Sequence, residues 1–262
     1  MNKRQISIST WFDYNIPIEK QIPLIAEAGL THISLGRDRA HFNYFNEEDQ
    51  TGILKLLHEY SLQIDTIHGP EIGKENAGEL MAIAEAAVEL RAPVIVLHGG
   101  PFSFGQNELE ARLSELRLKC RELDTIARCT GVKFALENVL PGPATELIRK
   151  AILEADPATI GFCYDSSHDQ IDGPNPFDLL LELKDRVIAV HLSDRIREFV
   201  DHVIPGEGFI DWETLCLTLT TAKMTFPLLL EVNVQHSSEK DTVKFLDLAY
   251  RRGCGLYDRI GR

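Results

Sequence analysis

Short apolar runs alternate with longer amphipathic stretches along the whole chain, and this alternation predicts strands and helices in turn. The apolar runs are rich in Ile, Val, Leu and Phe, which is typical of strands buried on both faces of a sheet. The predicted strands are residues 5–10, 31–35, 62–68, 94–98, 132–137, 159–165, 187–192 and 228–232. The pattern therefore predicts eight strands, each followed by a helix.

The amphipathic stretches carry recognisable start and stop signals for helices. Gly29 follows the first stretch, Asn46 precedes the second as a suitable N-cap, and Ser238 is the predicted cap of the last. The chain after Gly253 is expected to be irregular. The predicted helices are residues 18–28, 47–60, 76–91, 108–129, 144–155, 177–184, 212–222 and 239–251.

Strict alternation of strands and helices calls for a parallel sheet with helical crossovers. The length of 262 residues matches the usual size of a barrel built from eight such units. The first turn between a strand and a helix lacks a Gly-rich phosphate fingerprint, which disfavours an open dinucleotide-binding sheet. The predicted fold is therefore an α/β (β/α)8 TIM barrel, with residues 1–262 forming a single domain.

The chain is acidic, with 27 Lys and Arg against 40 Asp and Glu and a formal charge of −13. Proteins that bind nucleic-acid phosphates usually present a basic face, so a nucleic-acid partner is not expected, whereas an acidic balance suits cation binding. The five cysteines include no closely spaced pair and predict no disulfide framework. No apolar run approaches the length of a membrane span. We therefore expect a cytoplasmic protein without membrane contact, and a homo-oligomer is left open.

Six consecutive predicted strands end in a His, Asp or Glu, namely His68, His98, Glu137, Asp165, His191 and Glu231. Closure of a barrel brings the carboxyl ends of its strands around one mouth. Each residue alone would more often be a hydrogen-bonded or solvated group, but several carboxylates crowded together repel one another. A divalent cation resolves that repulsion, and imidazole combined with carboxylate oxygens favours Mn, Zn, Co or Fe. The sequence therefore predicts a metal site at the mouth.

Further candidates lie in the loops that would surround this mouth. His168 comes three residues after Asp165, and His202 precedes a Pro-Gly-Glu-Gly turn, so both histidines are candidate additional ligands. Candidate substrate-binding groups, with packing or surface roles as the alternative, are Trp11, Arg195 and Glu207. The cations after the second strand are expected to be solvated rather than to contact an anionic substrate; they are Arg37, Arg39 and His41.

Four short segments carry a resemblance to a known family: LEN at 136–138, DSSH at 165–168, HLSD at 191–194 and DHVIPGEG at 201–208. With them the chain resembles the xylose isomerase-like TIM barrel superfamily. That superfamily includes sugar isomerases and epimerases and the endonuclease IV type of AP endonuclease. The resemblance extends from the first predicted strand to the eighth and implies a metal-dependent enzyme, without fixing the reaction.

The epimerase and isomerase members imply a one-metal site in this chain. By resemblance, the ligands would be Glu137, Asp165, His191 and Glu231. Glu137 and Glu231 would also flank a sugar or polyol substrate as a catalytic acid/base pair. The substrate-binding residues would then include His68, His98 and His168.

The AP endonuclease members imply a three-metal site instead. Its ligands would fall on His68, His98, Glu137, Asp165, His168, His191, His202 and Glu231. A ninth ligand, an Asp two residues before His202, would fall on Val200, with Asp201 beside it. The acidic charge and short loops suit duplex DNA poorly. We therefore favour a metal-dependent isomerase or epimerase of a sugar or sugar phosphate. The alternatives are a zinc-dependent AP endonuclease-like phosphodiesterase, an inosose dehydratase-like lyase and, last, a non-enzymatic binding protein.

Overall fold

The computed structural model describes residues 4–170 and 175–261, and within them eight parallel strands form one sheet. The strands are β1 (Ile6–Ser9), β2 (His32–Leu35), β3 (Gln63–His68), β4 (Val94–His98), β5 (Lys133–Glu137), β6 (Ile160–Asp165), β7 (Val187–His191) and β8 (Leu228–Leu230). Strands β1 to β7 lie side by side in sequence order, and β8 pairs with β1. The predicted (β/α)8 TIM barrel is confirmed.

The barrel closes between β7 and β8 through an isolated bridge that joins Leu192 to Leu230. The Leu192 N–H donates to the carbonyl of Leu229 over 2.9 Å, and the Glu231 N–H donates to the carbonyl of Leu192 over 3.1 Å. The other strand pairs are longer, each with at least three paired positions. The β7–β8 seam therefore has fewer paired residues than any other strand pair of the described barrel.

Helices alternate with the strands and cover the outside of the barrel. They are α1 (Ile18–Glu27), α2 (Glu47–Glu59), α3 (Glu79–Glu89), α4 (Leu109–Thr130), α5 (Pro143–Glu154), α6 (Asp178–Leu183), α7 (Trp212–Leu219) and α8 (Thr242–Arg259). Asn46 caps α2 as predicted, because its side chain accepts a hydrogen bond from the Asp49 N–H over 3.0 Å. No helix in the described ranges is both long enough and apolar enough to cross a membrane.

The last helix differs from its prediction at both ends. Asp241, not Ser238, is its N-cap, since the Asp241 carboxylate accepts from the Lys244 N–H over 3.0 Å. The helix also continues through Gly253 to Arg259, so the prediction of an irregular tail is wrong. A Cβ on Gly253 would lie 2.9 Å from Ile6 Cγ2, which shows how closely α8 packs on β1. This tertiary packing stabilises a helix that two glycines weaken locally.

The first strand ends earlier than predicted, and the chain turns into a short 3-10 helix over Thr10–Asp13. Trp11 and Phe12 lie in that turn. Phe12 is fully buried and stacks on Phe245 of α8, with 6.2 Å between ring centroids. Trp11 is only half-buried and lines a cavity at the mouth of the barrel.

Strand register brings the acidic and imidazole side chains to one level. His98 is paired with Glu137 across β4 and β5, and Asp165 is paired with His191 across β6 and β7. Below them a separate buried cluster contains small and medium side chains: Val94, Val96, Ala135, Cys163 and Ala189. The parallel strands thus present their terminal side chains at the carboxyl mouth of the barrel.

Candidate metal centre and active site

Glu137, at the end of β5, is the centre of the buried cluster. Its Oε2 atom lies 3.4 Å from His68 Nε2, 3.5 Å from His98 Nε2 and 3.4 Å from His191 Nδ1. Its Oε1 atom lies 3.5 Å from His168 Nδ1. One carboxylate therefore contacts imidazoles from four different strands or strand-end loops.

Glu231 and Asp165 extend the cluster to either side. Glu231 Oε2 lies 3.1 Å from His191 Nδ1 and 4.0 Å from His202 Nδ1. Asp165 Oδ2 lies 3.6 Å from His168 Nδ1. The structure thus brings together all eight of the predicted ligands, and all are buried.

Four of these residues have the geometry of a single cation site. Candidate ligand atoms of Glu137, Asp165, His191 and Glu231 all lie within 4.8 Å of one another. Four further groups of three residues share this property within the described chain. One is formed by His68, His98 and Glu137 and another by Asp165, His168 and His202, while the remaining two combine His191 with residues that surround it. The residues therefore offer one principal site and enough donors to hold additional ions.

Several buried polar atoms of the cluster make no hydrogen bond to any described residue. They are His98 Nδ1, Glu137 Oε2, Asp165 Oδ2, His168 Nε2 and both ring nitrogens of His191. Leaving a buried polar atom without a hydrogen bond costs about 1–3 kcal/mol, and more for a charged group. Carboxylate oxygens and imidazole nitrogens with free lone pairs are the ligands of Mn, Zn, Co and Fe. The residues present thus fit a divalent cation.

Burial and mutual contact perturb the ionisation of the cluster. Burial raises the pKa of Asp165 to about 7. Burial alone would lower the pKa of His168, but the neighbouring Asp165 and Glu137 carboxylates raise it to about 9. Burial would likewise raise the pKa of Glu231, yet the adjacent His191 holds it well below its ordinary value. The cluster therefore shares protons among its members, and a bound cation would compete with those protons.

Asp165 is held so that one of its oxygens remains free. Its Oδ1 atom accepts from the Ser167 N–H over 2.7 Å, the Ser167 hydroxyl over 2.9 Å and the His168 N–H over 3.0 Å. The Asn138 side-chain amide fixes the Asp165 backbone, donating to its carbonyl over 2.8 Å and accepting from its N–H over 2.7 Å. These contacts leave Oδ2 directed into the cluster.

Asp194 organises the loop that carries His202. Its buried carboxylate accepts four hydrogen bonds of 2.8–3.1 Å, from the N–H groups of Arg195, Gly206 and Ile210 and from Trp212 Nε1. Its backbone pairs with Val203, which directly follows His202. His202 has a φ of 45°, in a region that side chains rarely adopt, and its Nδ1 lies 3.0 Å from Ser193 Oγ. The loop thus holds His202 against the cluster in a strained conformation.

A cavity of about 270 Å³ opens above the cluster. Four predicted substrate-binding residues line it: Trp11, His68, His98 and His168. Phe102 forms part of its wall, with its ring edge-on to His98 at 4.8 Å and to His168 at 5.8 Å. Further lining residues that the strand-end pattern did not identify are Ser9, Tyr14, Gly36, Arg37, Val200 and His236. Ser9 ends β1, and the others lie in loops whose course the sequence pattern does not specify.

Two predicted substrate-binding residues do not line this cavity. Arg195 is 2% exposed, donates to the carbonyls of Ser167 and Asp169, and lies over the Phe199 ring at 4.0 Å. Glu207 accepts hydrogen bonds from Ser238. Loop contacts therefore hold both charges outside the lining of this cavity, and their predicted role in substrate binding stays a prediction.

Comparison with known proteins agrees with this architecture. The chain matches the family model described as xylose isomerase-like TIM barrel over residues 22–249. It is 25% identical to the uncharacterized protein y4fM of Sinorhizobium fredii, over 84% of this chain and 82% of that relative.

Two solved structures share the fold across almost the whole chain. A D-tagatose 3-epimerase-like protein has a TM-score of 0.78 and 18% identity, covering 97% of this chain and 98% of its own. The IOLI protein, solved with a zinc atom bound, has a TM-score of 0.78 and 15% identity, covering 98% of this chain and 97% of its own. At these identities the similarity shows the fold alone.

Proposed function

We propose that this chain, which belongs to the xylose isomerase-like TIM barrel family, is a metal-dependent isomerase or epimerase of a small sugar or sugar phosphate. The observation that carries the proposal is the buried four-residue group of Glu137, Asp165, His191 and Glu231, with its ligand atoms within 4.8 Å of one another. The similarity to an epimerase-like protein and to a zinc-binding protein supports the same conclusion. We assign these four residues as ligands of one Mn, Zn, Co or Fe ion.

Glu137 and Glu231 are the proposed acid/base pair. Both are buried, and they approach the cluster from β5 and from the residue after β8. A cation bound here would polarise the carbonyl and hydroxyl oxygens of an α-hydroxy ketone and acidify the carbon between or beside them. One glutamate then takes a proton from that carbon. The other returns a proton to the opposite face in an epimerase, or the proton moves to the neighbouring carbon in an isomerase.

The cavity suits a small substrate. Its volume of about 270 Å³ lies just below the range of about 300–1,000 Å³ that is usual for ligand sites. Trp11 and Phe102 provide apolar walls that can pack against the C–H groups of a sugar, while His68, His98 and His168 offer polar contacts. These features support a monosaccharide or similar polyol as the substrate.

A second candidate, a zinc phosphodiesterase of the AP endonuclease type, is favoured by one observation. The additional groups of His68, His98 and Glu137 and of Asp165, His168 and His202 could hold further ions. Against it, the Asp201 carboxylate accepts hydrogen bonds from the backbone N–H groups of residues 196–198 over 2.7–2.9 Å. It therefore does not supply the ninth ligand missing at Val200. The charge of −13 also opposes DNA binding.

Metal content and a ketose screen test the proposal together. The protein is purified without added metal, analysed for metal per chain, and assayed against ketoses and ketose phosphates with Mn²⁺, Co²⁺ or Zn²⁺ added. About one ion per chain and conversion of a ketose support the proposal. Two to three Zn per chain with cleavage of abasic DNA and no ketose conversion would favour the second candidate. Failure to bind any of these metals would contradict both.

A further inference from the structure

On the side of the cavity formed after β1 and β2, the proposed chemistry uses Trp11 alone and leaves the rest of the wall without a role. Tyr14, Gly36 and Arg37 line this wall. In a closed barrel of eight strands, β1 and β2 lie opposite β5 and β6. The wall therefore faces the side from which Glu137 and Asp165 enter the cluster.

Arg37 provides positive charge to this wall. It is the only Lys or Arg among the described residues that line the cavity. No carboxylate in the described part of the chain lies within ion-pair distance of its guanidinium. Arg39, two residues later, is engaged instead: it lies 3.6 Å from Glu79 and 5.4 Å over the Phe45 ring. The charge of Arg37 thus remains available to a ligand.

Tyr14 adds a hydrogen-bond donor beside Arg37. Tyr14 lines the cavity, and a phenol hydroxyl can donate one hydrogen bond to a ligand. The ring packs against His41 with 4.8 Å between centroids, which fixes its orientation. Burial raises the pKa of Tyr14 to about 12, so the hydroxyl stays protonated at neutral pH.

Gly36 makes room for the Tyr14 hydroxyl. A Cβ at this position would lie 2.2 Å from the hydroxyl oxygen, far inside van der Waals contact. The Gly36 N–H donates to Thr10 Oγ1 over 3.0 Å, which holds the glycine backbone in place. Any larger residue would displace the hydroxyl from its present position. The Tyr14 hydroxyl is therefore packed closely against the Gly36 backbone, and the wall is more than a pair of exposed polar side chains.

We propose that Tyr14 and Arg37 form a subsite for an anionic substituent of the substrate, a phosphate or a carboxylate. The inference rests on the proposed function, because the anion would be a substituent at the end of the same sugar that lies away from the metal cluster. A guanidinium and a phenol hydroxyl are suitable donors to an oxyanion. The three carboxylates of the metal cluster would repel the same group. The subsite therefore also sets the direction in which the sugar lies in the cavity.

Matched pairs of ligands test the subsite. Dissociation constants are measured by calorimetry on the full-length, Mn²⁺-loaded protein for D-ribulose against D-ribulose 5-phosphate. D-fructose is compared in the same way with D-fructose 6-phosphate and with D-fructuronate. We expect the anionic member of at least one pair to bind tenfold or more tightly. A preference confined to the phosphates, or shared with fructuronate, identifies which anion the subsite accepts.

Variants separate the subsite from the metal cluster. Arg37→Gln should abolish most of the anionic preference, whereas Arg39→Gln, whose charge is engaged elsewhere, should keep it. Gly36→Ala should weaken binding of the anionic sugar as Tyr14→Phe does, because both remove the hydroxyl from its position. Equal affinity for charged and neutral sugars, or a preference that survives in Arg37→Gln, would overturn the subsite alone. Binding of no sugar would contradict the proposed function and the subsite with it.

Discussion

Glu231 Oε2 lies 3.1 Å from His191 Nδ1 across the seam at which the barrel closes. His191 ends β7 and Glu231 follows β8, and these two strands meet through the isolated bridge of Leu192 and Leu230. Two proposed ligands of one ion therefore lie on either side of the strand pair with the fewest paired residues. A bound cation would link the two strands where backbone pairing is shortest, so we expect metal binding and barrel stability to be coupled.

Metal removal should therefore lower the melting temperature. Ligand at 100 times its dissociation constant stabilises a protein by about 2.7 kcal/mol. For a chain of this size that corresponds to a Tm difference of roughly 5–10 °C. Differential scanning fluorimetry with Mn²⁺ and with EDTA measures it. His191→Ala should lose the shift, and His58→Ala, which alters an exposed residue of α2, should retain it. Superimposable melting curves with and without metal in the wild type would contradict the coupling.

The side chain of Asn138 should control metal affinity without touching the ion. Its amide fixes the Asp165 backbone through hydrogen bonds of 2.7 and 2.8 Å. Loss of a residue that orients a ligand typically weakens metal binding by about 10–100-fold. We expect Asn138→Ala to weaken Mn²⁺ binding by that factor in a chelator competition titration. The exposed Asn107→Ala serves as the control, and unchanged affinity in Asn138→Ala would show that Asp165 is oriented by other contacts.

The course of α8 can be tested with two glycines of the same helix. A Cβ on Gly255 would meet nothing within 4 Å, so Gly255→Ala should stabilise the protein by about 0.5–1 kcal/mol through helix propensity. A Cβ on Gly253 would lie 2.9 Å from Ile6, so Gly253→Ala should destabilise it by about 1–3 kcal/mol through overpacking. Urea denaturation measures both. If both substitutions changed the free energy of unfolding equally, the result would contradict the close packing of α8 against β1.

The barrel and the metal cluster could be predicted from the sequence because both depend on simple periodicity. Apolar strands alternate with amphipathic helices, and each of six strands places an ionisable residue at its carboxyl end. Barrel closure alone then brings Glu137, Asp165, His191 and Glu231 together. The error in α8 arises because two glycines oppose a helix that packing on the barrel stabilises.

The remainder of the cavity could not be predicted because it depends on the paths of loops. Tyr14 reaches the cavity only because Gly36 lacks a Cβ, a contact between residues of different loops. Arg195 has the position of a substrate-binding residue in the sequence, yet its guanidinium turns back to the carbonyls of Ser167 and Asp169. The spacing of residues along the sequence predicts neither the Tyr14–Gly36 contact nor the contacts of Arg195.

Proton exchange at a substrate carbon tests the central claim, that Glu137 and Glu231 transfer protons in the metal-loaded protein. The ketose found in the screen is incubated in D₂O with protein and excess Mn²⁺, and loss of its carbon-bound proton signal is followed by NMR. We predict exchange with the wild type and with the exposed control Glu213→Gln. Glu137→Gln and Glu231→Gln should each be at least about 100-fold slower, with metal occupancy measured in the same samples and the circular dichroism spectrum unchanged. Exchange at the wild-type rate in either of these two variants would contradict the claim.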